Sequence, residues 1–151
     1  MRIIDPPLKL YHGTKFEHVT SILASGIKNV GSAWGEGELG AGFYTATKVA
    51  GGGAYLHEPG GVVEFEVTKQ LKGADVTPPG KFDWAGSGRT DEIQRLCTGY
   101  DYLVSSTDIP VSQIKLNFGR GTDNVKAVAV HMLEKGGWKR YTKQEYEDMF
   151  P

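Results

Sequence analysis

The chain has 151 residues, enough for one well-buried domain and short for two, so residues 1–151 read as a single domain. A formal net charge of -1 gives no global pull toward nucleic acid or acidic membranes, and 39% hydrophobic with 23% charged residues argues against disorder. The lone cysteine, Cys97, excludes an intrachain disulfide and a cysteine-rich zinc site, and no apolar run approaches the ~20 residues of a membrane span.

A reducing cytoplasm is therefore the expected place of action. Asp5, Pro6 and Pro7 make the first ten residues unlike a signal peptide. After that break, Leu8, Leu10 and His12 alternate with Lys9 and Tyr11, which predicts a strand that points His12 inward with two leucines. Thr14 and Glu17 have capping-box spacing, Phe16, Val19, Ile22 and Leu23 follow at helical spacing, and Gly26 is the stop. His12 is thus expected at a strand-to-helix turn. Residues 29–42 read as a glycine-rich loop, 43–46 as a short strand, and 47–57 as a short helix weakened by Gly51, Gly52 and Gly53.

Val63, Phe65 and Val67 alternate with Glu64 and Glu66, the pattern of a half-exposed strand. Residues 72–89, with Pro78, Pro79 and Trp84, read as a long loop of the kind that often carries function. Thr90 opens a helix through about Cys97 that Gly99 breaks. Strands are expected around Tyr102 and Val104 and around Ile114, Leu116 and Phe118. A central strand is expected over 125–133, which is apolar on both faces. Thr142 and Glu145 repeat the capping-box spacing and open a C-terminal helix with Tyr146, Met149 and Phe150. Strands with a few short helices make the fold class α+β.

Gly35, Gly37 and Gly40 match the spacing of a dinucleotide fingerprint, but no strand precedes them and Glu36 and Glu38 would face the pyrophosphate, so that motif is rejected. His12 is followed at once by Gly13, whose bare backbone lets a flat ligand lie against it. Tyr44 follows Gly40-Ala41-Gly42, and Tyr44 with Tyr55 can sandwich a planar heterocycle. Asp101 is a lone acid between Tyr100 and Tyr102. Taken singly, each has an ordinary reading: a hydrogen-bonded core histidine, core or surface aromatics, a solvated turn acid. No metal-ligand spacing appears, and His18, His57 and His131 lack matching partners and read as structural. Lys115, Arg120 and Lys126 are the residues from which a local basic patch would be built, and Trp34, Trp84 and Arg89 lie in the two long loops.

Together, Leu10-Tyr11-His12-Gly13-Thr14, Gly40-Ala41-Gly42-Phe43-Tyr44-Thr45 and Asp101-Tyr102-Leu103-Val104 with Gln113-Ile114 resemble the ADP-ribosyltransferases of the diphtheria-toxin and poly(ADP-ribose) polymerase branch. The order His-Tyr-Asp is similar to that of bacterial polymorphic toxins and rifampicin-modifying enzymes. The resemblance implies split, mainly antiparallel β-sheets with a few short helices around an NAD cleft. It implies NAD as substrate, no metal, and transfer of ADP-ribose to a protein or nucleic acid. A toxin would also have an immunity protein as partner and would reach a target cytoplasm by secretion or injection. It implies that His12 bonds a ribose hydroxyl, that Gly13 holds the carboxamide with Thr14 and Thr45 beside the site, that Tyr44 and Tyr55 flank nicotinamide, and that Asp101 stabilises charge at C1'. Two departures stand out: Gly52 where the family often has serine, and aspartate in place of glutamate. Gly99, two residues before Asp101, disfavours arginine as the target. An NAD glycohydrolase, or a catalytically silent relative binding NAD, ADP-ribose or RNA, are the alternatives.

Overall fold

The structure, a computed structural model, describes residues 2–27, 39, 42–53, 60–76, 89–105 and 113–150, with the backbone alone at 89–91. In chain order the described elements are β1 (Arg2–Ile4), β2 (Lys9–Lys15), α1 (Phe16–Ser25), β3 (Phe43–Ala46), α2 (Val49–Gly53), β4 (Gly60–Val67) and β5 (Leu71–Val76). After them come α3 (Arg89–Gly99), β6 (Tyr102–Ser105), β7 (Gln113–Leu116), β8 (Val125–Glu134), β9 (Gly137–Thr142) and α4 (Lys143–Met149). The class is α+β. The strands form one sheet in the order β1-β5-β6-β7-β3-β2-β4-β8-β9. Every pairing is antiparallel except β5–β6, which needs a crossover, and α3 lies on that connection.

The two halves of the sheet are joined narrowly. β2 pairs with β4 from Lys9 to Lys15, and β3 pairs with β7 over its whole length. Between β2 and β3 the register holds a single pair, Tyr11 with Ala46. The sheet is therefore continuous where two separate sheets were expected, but it carries a seam near its middle.

Strand alternation sends Leu10, Phe43, Val63, Phe65, Tyr102 and Leu116 to one face. Val19 and Leu23 of α1 and Tyr146 of α4 close that core. The opposite face holds a smaller cluster of Leu39, Ala74, Val76 and Leu103 with Ile93 of α3. α4 begins as its sequence predicts: Thr142 Oγ1 accepts from the Glu145 N–H at 3.1 Å, and Glu145 Oε1 accepts from the Thr142 N–H at 3.0 Å. Gly26 closes α1 at φ 77, its N–H donating to the Ile22 carbonyl.

Five local expectations need correction. Thr14 does not cap α1: β2 runs on to Lys15 because Thr14 and Lys15 pair with Gly61 and Gly60. His12 accordingly sits within a strand and not at a turn. Residues 72–76 belong to β5 and not to a loop, because Leu71, Ala74 and Val76 are buried between β1 and β6. The strand over 125–133 is next to the sheet edge and not central, since only β9 lies beyond it. Glu64, read as solvent-facing, is 4% exposed. Residues 77–80, 29–38 and 54–57, which the sequence assigns to loops and a helix end, lie outside the described residues.

Gly73 shows how tightly β5 is held. A Cβ there would stand 2.2 Å from the ring of Tyr102, itself 1% exposed. Gly73→Ala is expected to destabilise the fold by about 1–3 kcal/mol through overpacking. A urea denaturation midpoint no lower than wild type would contradict this.

Candidate functional site

The seam between β2 and β3 is held by a side chain. His12 Nδ1 donates to the Tyr44 carbonyl at 2.6 Å, and because a carbonyl only accepts, Nδ1 must carry the proton. The ring stacks on Phe43 with centroids 4.0 Å apart at 29° and is 7% exposed. Burial pushes its pKa down to about 4, against the raising effect of the bond to Tyr44. The imidazole is therefore neutral at physiological pH, with Nδ1 as donor and Nε2 as an acceptor type.

Tyr44 itself faces the other side of the sheet. Its ring packs with the cluster of Leu39, Leu103 and Ile93, and its hydroxyl accepts the Leu39 N–H at 3.2 Å. Gly13 alternates with His12 and so falls on the Tyr44 side, in register with Val62. Thr14 and Thr45 fall on the core face, 9% and 3% exposed, and the Thr45 hydroxyl donates to the Ile114 carbonyl at 2.8 Å. Tyr55, Trp34 and Trp84 lie outside the described residues.

Asp101 immediately precedes β6. β6 is three strands from β2, or ~14 Å at ~4.8 Å per strand, so Asp101 does not touch His12. Its carboxylate is turned toward β5: Oδ2 accepts the Lys72 N–H at 2.8 Å, and Oδ1 lies 3.6 Å from Arg120 Nε. Its own N–H donates to the Lys72 carbonyl and its carbonyl accepts the Asn117 N–H. The side chain is 16% exposed. The structure thus joins the His12 imidazole to the Tyr44 backbone carbonyl, leaves the two rings on opposite faces of the sheet, and sets Asp101 apart on a rigid mount.

Several residues around these positions were not identified from sequence. Lys115, read as part of a surface basic patch, is fully buried beside Tyr44 in the β3–β7 register. Its Nζ donates to Asn117 Oδ1 at 2.6 Å and to Cys97 Sγ at 2.9 Å, and burial pulls its pKa down from the usual lysine value. Arg120 and Lys126 remain exposed. The signal available was the alternation of Lys115 with Ile114 and Leu116, which identifies a strand but not that both its faces are covered.

Glu64 is the second surprise. Its Oε1 accepts from His131 Nε2 at 2.8 Å and Arg140 Nε at 3.1 Å, and Oε2 accepts from Arg140 Nη2 at 2.9 Å. Burial alone would raise the carboxyl pKa, but the hydrogen bonds from Arg140 and His131 outweigh it and hold the group below its ordinary range. His131 therefore has a partner after all. α2 lies beside this group: a Cβ at Gly52 would come within 3.0 Å of Val62 and 3.3 Å of Tyr11, and one at Gly53 within 2.4 Å of Trp138. Close approach of α2 to β2 and β4 accounts for glycine where a serine was expected.

The three predicted groups are therefore a buried neutral imidazole on one face, an aromatic ring on the other, and a carboxylate held by the Lys72 N–H. Among the described residues, no group of three His, Cys, Asp or Glu is placed to hold a metal ion. No helix among them is long and apolar enough to cross a membrane.

The burial of His12 has a titration consequence. Its folded pKa is below its unfolded value, so between about pH 6.5 and about 4 the unfolded chain binds a proton that the folded chain refuses. Stability is fully present above that window and falls as pH drops through it, by about 2 kcal/mol between pH 7 and pH 5. Glu64 adds a further loss only below the ordinary glutamate range. Denaturation of wild type and of His12→Gln, which keeps a donor for Tyr44 but does not titrate, checks this: an equal loss in both would remove His12 as the cause.

No family model matches the chain, and a search of curated proteins returns no match.

Proposed function

We propose that the chain is an NAD-dependent ADP-ribosyltransferase, a bacterial toxin or effector domain that breaks the nicotinamide–ribose bond and passes ADP-ribose to a macromolecular acceptor in a cytoplasm. One observation carries the reading. The three motif stretches, far apart in the chain, become the neighbouring strands β2, β3, β7 and β6, and the sheet parts between the first two.

The roles follow from the chemistry of each group. Tyr44, with Tyr55, flanks the nicotinamide, and the Gly13 backbone holds its carboxamide. His12 has its N–H committed to the Tyr44 carbonyl and its ring on the core face with Nε2 buried, so in this reading it holds β2 against β3 and does not touch the ligand. Tyr44 and Asp101 are separated by two strand spacings and two residues, about 12 Å between Cα atoms.

Cleavage breaks the bond between C1' and the nicotinamide nitrogen, and the electron pair leaves with nicotinamide. The ribosyl centre gains oxocarbenium character, the charge problem that glycosidases solve with carboxylates. Asp101 Oδ1 accepts the 2'-hydroxyl of that ribose once Arg120 yields its 3.6 Å approach, and the fixed carboxylate stabilises charge as it develops. The acceptor's lone pair then forms the new bond to C1', and its proton is released.

A second reading is favoured by one contact. Because Asp101 Oδ2 is already taken by the Lys72 N–H, a catalytically silent relative that binds NAD or ADP-ribose is the competing assignment. Incubation with labelled NAD and cell lysate separates them. Nicotinamide release with label on a macromolecule supports the transferase, and free ADP-ribose alone supports a glycohydrolase. NAD binding without release supports the silent relative, and neither binding nor release removes NAD altogether.

Asp101→Asn is expected to lower the rate of nicotinamide release at least ~100-fold with the fold intact. Near wild-type turnover would exclude Asp101 as the charge-stabilising group. Tyr44→Ala should raise the KM for NAD about tenfold while Tyr44→Phe, which keeps the ring, changes it little. Equal KM values in both variants would argue against stacking.

A further inference from the structure

An ammonium buried without a carboxylate is costly, and an apolar residue of similar volume would fill the same space more cheaply. Lys115 is such a group: it is fully buried, and among the described residues its amine contacts Asn117 and Cys97. Room for it comes from Gly42, where a Cβ would stand 2.0 Å from Lys115 Cε.

The contact with Lys115 decides how Asn117 is oriented. An amide oxygen accepts and an amide nitrogen donates, so with Oδ1 turned to the ammonium, Nδ2 must point the other way. It donates to the Tyr100 carbonyl at 2.7 Å. The Asn117 backbone N–H meanwhile donates to the Asp101 carbonyl at 2.9 Å. Asn117, 2% exposed, thus grips the chain on both sides of the Asp101 Cα, while β5 holds the Asp101 N–H and one carboxylate oxygen. Gly121 lies against the same carbonyl, where a Cβ would be 2.2 Å from Asp101 O.

We propose that Lys115 and Asn117 are positioning residues for Asp101: the buried ammonium sets the Asn117 amide, and that amide fixes the peptide carrying the carboxylate. This rests on the reading of Asp101 as the charge-stabilising group. Small displacements of such a group are costly to the rate while leaving substrate binding largely alone.

The test uses Lys115→Met, which removes the charge at similar volume, and Asn117→Asp, which keeps the contact to Lys115 but cannot donate to Tyr100. Both should release nicotinamide about 10- to 100-fold more slowly, with the KM for NAD within about twofold of wild type. Lys115→Met should keep or raise the denaturation midpoint. In both variants the amide protons of Asp101 and Lys72 should exchange faster. Unchanged kcat, a kcat loss that follows loss of stability, or unchanged exchange at those two amides would each overturn the proposal. If the wild-type protein releases no nicotinamide, the reading of the previous subsection falls, and the positioning of Asp101 then stands or falls on the exchange measurement alone.

Discussion

The hydrogen bond from His12 to the Tyr44 carbonyl is the contact on which the rest of the arrangement depends. Only Tyr11 and Ala46 pair between β2 and β3, so the two halves of the sheet rely on a side chain to complete their joint. Away from bulk water such a bond is stronger than at the surface. Burial also keeps the imidazole neutral, which makes it a directed donor and not a charge. Phe43 fixes the ring plane by stacking. A joint made this way ties the strands at one point and lets them part beyond it.

The halves on either side of that joint bury charge by different means. In the half formed by β4, β8 and β9, the Glu64 carboxylate is met by the Arg140 guanidinium in a two-point contact and by His131. Such pairing compensates the loss of hydration through complementary charge. In the other half, Lys115 is met by an amide oxygen and a thiol. Dipoles stabilise a buried ammonium less completely, which agrees with the downward shift of its pKa. Arg140 is half-exposed and braces the rim of the sheet, whereas Lys115 has no access to solvent and lies beside Tyr44.

What could be read from the sequence was local. Leu10 and His12 on one face, the short strand at Phe43, the stop at Gly26 and the capping box at Thr142 rest on residues within a few positions of each other. What could not be read was set by partners far away. Residues 72–76 read as the start of a loop because Gly73 and the later Pro78, Pro79 and Trp84 suggest one, yet the stretch pairs with β1 and β6. Lys115 looks solvated because lysine usually is, and only α3 and the glycine at position 42 reveal otherwise. Thr14 and Glu17 have the spacing of a cap, but pairing with Gly61 carries the strand past Thr14. The three motif stretches were expected to line one cleft; in the structure they are neighbouring strands, with the His12 and Tyr44 rings on opposite faces and Asp101 anchored on β5.

The pairing of β3 with β7 has a consequence for how the molecule is made. Thr45 meets Ile114 across 69 positions of chain, and β6 docks only after the crossover through α3. Long-range closures of this kind are slow and come late. A ribosome must deliver more than two thirds of the polypeptide before the aspartate can be seated, so a truncated or half-folded product carries the joint of His12 and Tyr44 without Asp101 in place.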